Sequence, residues 1–230
     1  MRKNIKELAE KLGIQYKKGG YLEQAVVHRS YLNEHPDFPL GHNERLEFLG
    51  DAVLELVVTE YLYENYENPE GELTNWRAAL VNGANLAKIA RGMDIEEYLY
   101  LSRGEQKDTS DKARNYILAN AHEALIGSVY LDFGWDEAKK FVTEKVLSTL
   151  PEILEQKLYV DPKSRFQEEA QSRMSVTPSY KVLEESGPDH AKTFRIGAYL
   201  GGDLVAEGVG ASKQEAQVDA AKNALEERGW

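Results

Sequence analysis

Cysteine is absent from this chain. Its absence excludes disulfides, thiolate nucleophiles and cysteine-held zinc, and fits a reducing cytosol. No run of about 18 apolar residues occurs, so no transmembrane helix is expected. Met1-Arg-Lys-Asn-Ile-Lys-Glu7 lacks the apolar core of a secretory signal. Positive charge is scarce: 28 Lys and Arg stand against 39 Asp and Glu, for a net charge of −11. Proteins that grip nucleic acid normally show a basic footprint. Composition therefore counts against that class unless cations screen the approach or the basic residues cluster. What remains is an ordinary globular texture, 42% hydrophobic and 29% charged over 230 residues. That is enough for a substantial core, and the length suggests two unequal domains.

The stretch from Asn43 to Tyr61 stands out. Pro39 and Gly41 break the chain ahead of it, and Asn43 is placed to cap a helix. Glu44 then lies in the first turn, where a negative charge suits the helix dipole. Leu46, Phe48, Leu49, Val53, Leu54, Leu56, Val57 and Val58 make the helix apolar on more than one side, the mark of a buried helix. Yet Glu47 and Asp51 sit in its middle, four residues apart and so about 5–6 Å from each other on one face. Two carboxylates held together away from water resist ionisation. A divalent cation such as Mg²⁺ removes that conflict, because it takes oxygen ligands from one or two carboxylates plus water and phosphate. The competing explanation is surface pairing with Arg45 and other bases.

The flanking segments also read as helices. Ile5, Leu8 and Leu12 have helical spacing, with Gly13 as a stop. Residues 21–32 form a second predicted helix, in which His28 is a packed or capping histidine. Thr74 is the expected cap of a helix over 75–82, which continues through Leu86–Arg91. A short helical piece follows at Ile95–Leu99, then a loop over 101–110. Residues 112–131 form a second buried helix with Glu123 in its apolar middle and Asn120 three residues earlier on the same face. Helices over 136–150 and 151–158 complete an all-α region. After residue 160 the pattern changes. A helix over 162–173 precedes three alternating stretches, at 179–185, 192–200 and 204–209, with turns at Ser186–His190 and at Gly201-Gly202. An alanine-rich helix over 212–227 ends the chain. The expected fold class is α+β: an all-α domain over 1–158, then a small α-β-β-β-α domain over 160–230.

Asn43-Glu-Arg-Leu-Glu-Phe-Leu-Gly-Asp-Ala-Val-Leu54 closely resembles the signature motif of the ribonuclease III family. His28-Arg-Ser30, Pro69-Glu-Gly71, Arg77-Ala-Ala-Leu-Val81, Gly104-Glu105, Ile117–Gly127 and Tyr130-Leu-Asp132 fall where that family has them. The tail resembles a double-stranded-RNA-binding domain through Asp161-Pro-Lys-Ser164, Phe166-Gln-Glu168, Gly187-Pro-Asp-His190, Gly208–Lys213 and Ala220-Ala221. The likeness runs in order through nearly the whole chain. It implies a cytoplasmic, homodimeric endonuclease for double-stranded RNA that joins through its helical domain. The enzyme would depend on Mg²⁺, with Mn²⁺ able to substitute. It would leave 5′-phosphate and 3′-hydroxyl ends with a short stagger, in the processing of ribosomal and messenger RNA.

Carried over by the same match, Glu47, Asn120 and Glu123 are metal ligands, and Asp51 orients the attacking water or a metal-bound one. Asp51 and Glu123 are the catalytic pair, and Glu44, Glu70 and Glu105 are accessory acids. Asn120 departs from the family, which has Asp there. It offers an oxygen but no charge, so weaker metal binding is expected. The alternative for Glu123 is an ion pair with Arg114 or Lys112. His122 replaces a usual apolar residue and reads as a packing position. Hydrolysis of a phosphodiester needs an activated water and neutralisation of phosphate charge, both of which carboxylate-held Mg²⁺ supplies.

In the tail, Ser164, Gln167, Glu168 and His190 match minor-groove contacts, and Lys213 at a helix N-terminus matches a phosphate contact. Gln214 stands where the family usually has a second basic residue. From residue 161 onward there are nine basic and twelve acidic side chains. Weak, steeply salt-dependent RNA binding is therefore expected of this domain alone. Two other readings compete. One is a degenerate nuclease kept as a double-stranded-RNA-binding protein, which Asn120 favours. The other is a phosphohydrolase of small substrates, which leaves the tail without a purpose.

Overall fold

The computed structural model describes residues 3–107, 110–188 and 192–230. The chain divides into two compact units, Met1–Tyr159 and Val160–Trp230, each with its own core.

In the first unit, α1 (Ile5–Leu12) buries Ile5, Leu8, Ala9 and Leu12. Asn4 caps it by accepting from the Glu7 amide at 3.3 Å, and Gly13 ends it at φ 74°. The single helix predicted over 21–32 is broken in two, α2 (Leu22–Ala25) and α3 (Arg29–Glu34). Tertiary bonds compete for the backbone between them. Val27 forms an isolated parallel bridge with Tyr100, the His28 amide donates to the Tyr100 carbonyl (3.1 Å), and the Val27 carbonyl accepts from the Asn43 amide (2.9 Å). No strand forms in this unit among the described residues.

The signature segment is α4 (Glu44–Asn65), four residues longer than predicted. Asn43 precedes it but its side chain makes no cap bond. It is buried, and its Nδ2 donates to the Ala25 carbonyl at 3.1 Å, tying the helix start to the 25–28 segment. Nor is α4 buried all round. Leu46, Val53, Leu54, Val57, Val58 and Leu62 face the core, while Phe48 is 81% exposed, Leu56 57% and Tyr63 81%.

Helix α5 (Glu70–Val81) starts ahead of the predicted Thr74 cap, with Pro69 before its first turn. Proline's fixed φ suits that position, and Thr74 lies inside the helix. Trp76, Ala79 and Leu80 turn inward as their spacing suggested. Then come α6 (Gly83–Gly92), capped by Asn82, and a 3₁₀ turn at Ile95–Tyr98. The expected 101–110 loop contains α7 (Arg103–Lys107). Helix α8 (Asp111–Phe133) is the second long helix. The helix predicted over 136–150 is split into α9 (Trp135–Lys145) and a 3₁₀ turn (Leu147–Thr149), and α10 (Leu150–Glu155) follows.

The second unit opens with α11 (Pro162–Met174). Asp161 caps it, its Oδ1 accepting from the Lys163 and Ser164 amides, each at 3.0 Å. Strands β1 (Ser179–Ser186), β2 (Thr193–Leu200) and β3 (Asp203–Gly210) form an antiparallel sheet in that order. Gly201 and Gly202 make the β2–β3 turn at φ 59° and 110°, a pair of positive angles that favours glycine. Helix α12 (Lys213–Arg228) packs Ala220, Ala221 and Ala224 against Phe166, Ala198 and Leu200. Among the described residues, no helix is long and apolar enough to cross a membrane.

Candidate functional site

Helices α4 and α8 cross where both lack side chains. A Cβ on Gly50 would collide with the Glu123 carbonyl oxygen, and one on Gly127 with the Leu46 carbonyl oxygen. Two glycines thus let the backbones touch, and that contact fixes how far apart the neighbouring side chains lie. Glu47 and Asp51 flank Gly50 on α4, while Glu123 lies one turn before Gly127 on α8.

The electrostatics show the outcome. Glu123 is half-buried, and its pKa is pushed up to about 7, first by burial, then by the charges of Asp51, Glu47 and Glu55. Glu47 is raised as well, by burial, then by Glu44 and Asp51. The predicted acids of two separate helices therefore share one field. Arg114 Nε meets Glu96 at 3.2 Å and its Nη2 donates to the Glu105 carbonyl, and Arg114 is not among the described groups that act on Glu123. Asn120 is half-buried one turn before Glu123, so its carbonyl adds a neutral oxygen to the same side of α8. His122 faces away, fully buried and 6.2 Å from the Phe141 ring, with neither ring nitrogen hydrogen-bonded. It packs, as its position suggested.

Of the accessory acids, Glu44 belongs to this field and also meets Arg29 (3.4 Å) and His42 (3.7 Å). Glu105 joins Glu44 around His28. His28 caps α3, its Nδ1 accepting from the Ser30 amide (3.3 Å) and lying 2.8 Å from Ser30 Oγ. Ser30 Oγ in turn accepts from the Ser102 amide at 3.2 Å, which ties the segment before Glu105 to α3. Glu70 stands apart, exposed at the start of α5. It lines a cavity of about 630 Å³ with Thr59, Tyr63, Tyr66 and Arg77. One residue of the field escaped the sequence reading. Glu55, one turn beyond Asp51, acts on Glu123 while pairing with Arg77 at 3.1 Å. Its spacing from Glu47 and Asp51 (i, i+4, i+8) is the signal that marks it.

The donors suit a hard divalent cation: carboxylate oxygens, an amide oxygen, and two acids held protonation-prone by burial and then by their neighbours' charge, which a cation between them relieves. Among the described residues, no three acids or histidines stand in a ready-made ligand set.

In the second unit, Ser164, Gln167 and Glu168 are all exposed on α11, at spacings that share one face. Lys213 opens α12 with its ammonium 5.6 Å from the Phe194 ring centre, and Ser212 Oγ caps that helix by accepting from the Glu215 amide at 3.1 Å. His190 lies outside the described residues.

Known proteins match both units. A family model described as Ribonuclease-III-like matches residues 20–150, and one described as double-stranded RNA binding motif matches residues 162–228. The chain is 45% identical to Ribonuclease 3 of Natranaerobius thermophilus, over 97% of this chain and 96% of that protein. It is 40% identical to Ribonuclease 3 of Streptococcus gordonii, over 98% and 97%. A crystal structure of the ribonuclease III nuclease domain from Campylobacter jejuni is 37% identical with a TM-score of 0.57, covering 65% of this chain and 97% of that one.

Proposed function

The chain belongs to the ribonuclease III family and is an endoribonuclease of double-stranded RNA, and from that premise we propose that Glu47, Asp51, Asn120 and Glu123 form its cleavage site. The family works with a divalent cation, and Mg²⁺ is the ion we assign here. Glu47, Glu123 and the Asn120 carbonyl would hold it. When bound, it lowers the pKa of water and neutralises phosphate charge. Asp51, exposed beside Glu47, would accept a hydrogen bond from the attacking water and orient it. The observation that carries the reading is Glu123. A carboxyl held near neutrality by burial and by acids from another helix is unfavourable in a purely structural role and suited to a site that receives cations. The products would carry 5′-phosphate and 3′-hydroxyl ends.

The active form we propose is a homodimer in the cytoplasm. Phe48, Ala52, Leu56 and Tyr63 are exposed along one stripe of α4, and such a row of large apolar groups marks an interaction surface. Glu47, Asp51 and Glu55 lie between that stripe and the buried face of the same helix. A partner seated on the stripe would therefore place each acidic group at the edge of the interface. The Campylobacter jejuni nuclease domain has itself been studied for a region involved in dimer formation.

The test is cleavage of a long perfect RNA duplex, with Mg²⁺ and with EDTA. Cutting is expected only with the metal. Glu123→Ala should abolish it, and Asn120→Asp, by restoring a fourth charge, should accelerate it. Cutting that persists in Glu123→Ala would refute the assignment. Duplex binding with no cutting in any variant would favour the degenerate, RNA-binding reading.

A further inference from the structure

Helix α12 opens with a single cation. Lys213 is followed by Gln214, Glu215, Ala216, Gln217, Val218 and Asp219. Over its first two turns after Lys213 the helix thus presents amides and carboxylates, and its next cation, Lys222, comes only nine residues later. Another element delivers charge to that place. Lys163, in the first turn of α11, reaches across to α12. Its Nζ donates to Gln217 Oε1 at 2.7 Å and stands 5.3 Å from the centre of the Tyr180 ring. Asp161, the nearest acid in sequence, has an oxygen committed to the α11 backbone amides. Both groups holding the ammonium are uncharged, so these two contacts fix its position without pairing its charge, and Asp161, at the rim of the hollow beside it, is turned to the α11 amides through Oδ1.

The ammonium lies beside a hollow of about 450 Å³ whose lining includes Asp161, Lys163, Ser164, Gln167, Tyr180 and Gln214, with Asp161 its one acid among the described residues. That hollow connects the two parts of the expected RNA face, the Ser164 and Gln167 positions on α11 and the residue after Lys213 on α12. Hydroxyl, amide and ammonium groups are the set that takes phosphate oxygens and ribose 2′-hydroxyls.

We infer that Lys163 is a phosphate-contacting residue for double-stranded RNA, held over α12 by Gln217 and Tyr180 in place of a second cation in the first turns of α12. This rests on the double-stranded-RNA reading of the second unit. Holding a long side chain in position before binding also reduces the ordering cost at the moment of contact.

The salt dependence of binding separates this role from a structural one. Binding of the full-length chain to an RNA duplex, roughly twice the ~16 base pairs such a domain spans, is measured in EDTA across a series of KCl concentrations. Each phosphate contact contributes roughly 0.9 to the slope of log affinity against log salt. Lys163→Gln should weaken binding and lower the slope by about that amount for each domain engaged. Lys163→Arg and Gln217→Ala, which keep the charge, should hold the wild-type slope. A Lys163→Gln chain that keeps the wild-type slope overturns the inference, whatever happens to its Tm. Should the wild-type chain fail to bind the duplex at all, the parent reading falls instead, and the two failures cannot be confused.

Discussion

Glu123 keeps its proton into the neutral range because burial disfavours its charged form and the charges of Asp51, Glu47 and Glu55 add to that. In the unfolded chain the same carboxyl ionises near its ordinary value of 4.5. Between that pH and about 7 the folded state binds more protons, so this group's contribution to stability falls as pH rises through the window. In EDTA at pH 8, Glu123→Gln should therefore be more stable than wild type by about 1–2 kcal/mol after allowance for partial exposure. The gain should vanish near pH 4, and thermal unfolding at the two pH values checks it. Mg²⁺ should reverse the ranking if it binds the proposed site, because it stabilises by binding the folded state only and Glu123→Gln would replace a charged ligand by a neutral amide oxygen. His122 has the opposite sign. Burial pushes its pKa down to about 4, so the unfolded state takes up its proton first and stability is lost as pH falls from 6.5 towards 4. His122→Leu should flatten the acid side of the stability–pH curve, and an unchanged curve would mean that other groups dominate there.

At the scale of the element, the α4–α8 crossing is what would assemble the proposed site. Gly50→Ala or Gly127→Ala would drive a methyl group into a carbonyl of the opposite helix. Each should cost about 3 kcal/mol or more and abolish cleavage, since separating the helices moves Glu123 away from Glu47 and Asp51. Gly71→Ala is the contrast. Nothing lies within 4 Å of a Cβ there, and it sits in the first turn of α5, so it should be neutral or stabilising by up to about 1 kcal/mol. Equal losses of Tm in all three would refute the crossing argument. The 3.6-residue periodicity made α4, α8 and α12 legible in the sequence. It failed where outside partners claimed the backbone, as at Val26–His28. It failed again at Asn43, whose side chain serves a carbonyl 18 residues back rather than its own helix.

For the whole molecule, charge and exposed apolar surface set the behaviour. The chain carries −11, so its grip on RNA relies on a few placed cations against a repulsive background. Affinity for duplex should fall more than ~10-fold between about 50 and 200 mM KCl, and a flat dependence would argue against phosphate contacts as the main source of binding. The α4 stripe predicts that residues 1–159 alone sediment as a dimer. Phe48→Ser should shift that species towards monomer and reduce cleavage. A wild-type monomer active on duplex would remove the need for the partner.

The sequence by itself determined the division into an all-helical part and a small mixed part, the family, and the acids at positions 47, 51 and 123, because helical period and a long motif are local properties of the chain. Only the tertiary structure decided that these acids share one field, that Glu55 belongs to it, that Phe48 and Leu56 face solvent rather than core, and that Lys163 stands over α12. Each of these depends on how closely two distant backbones approach. Here that distance is set by pairs of small residues and by bonds between segments far apart in sequence, which no local pattern encodes.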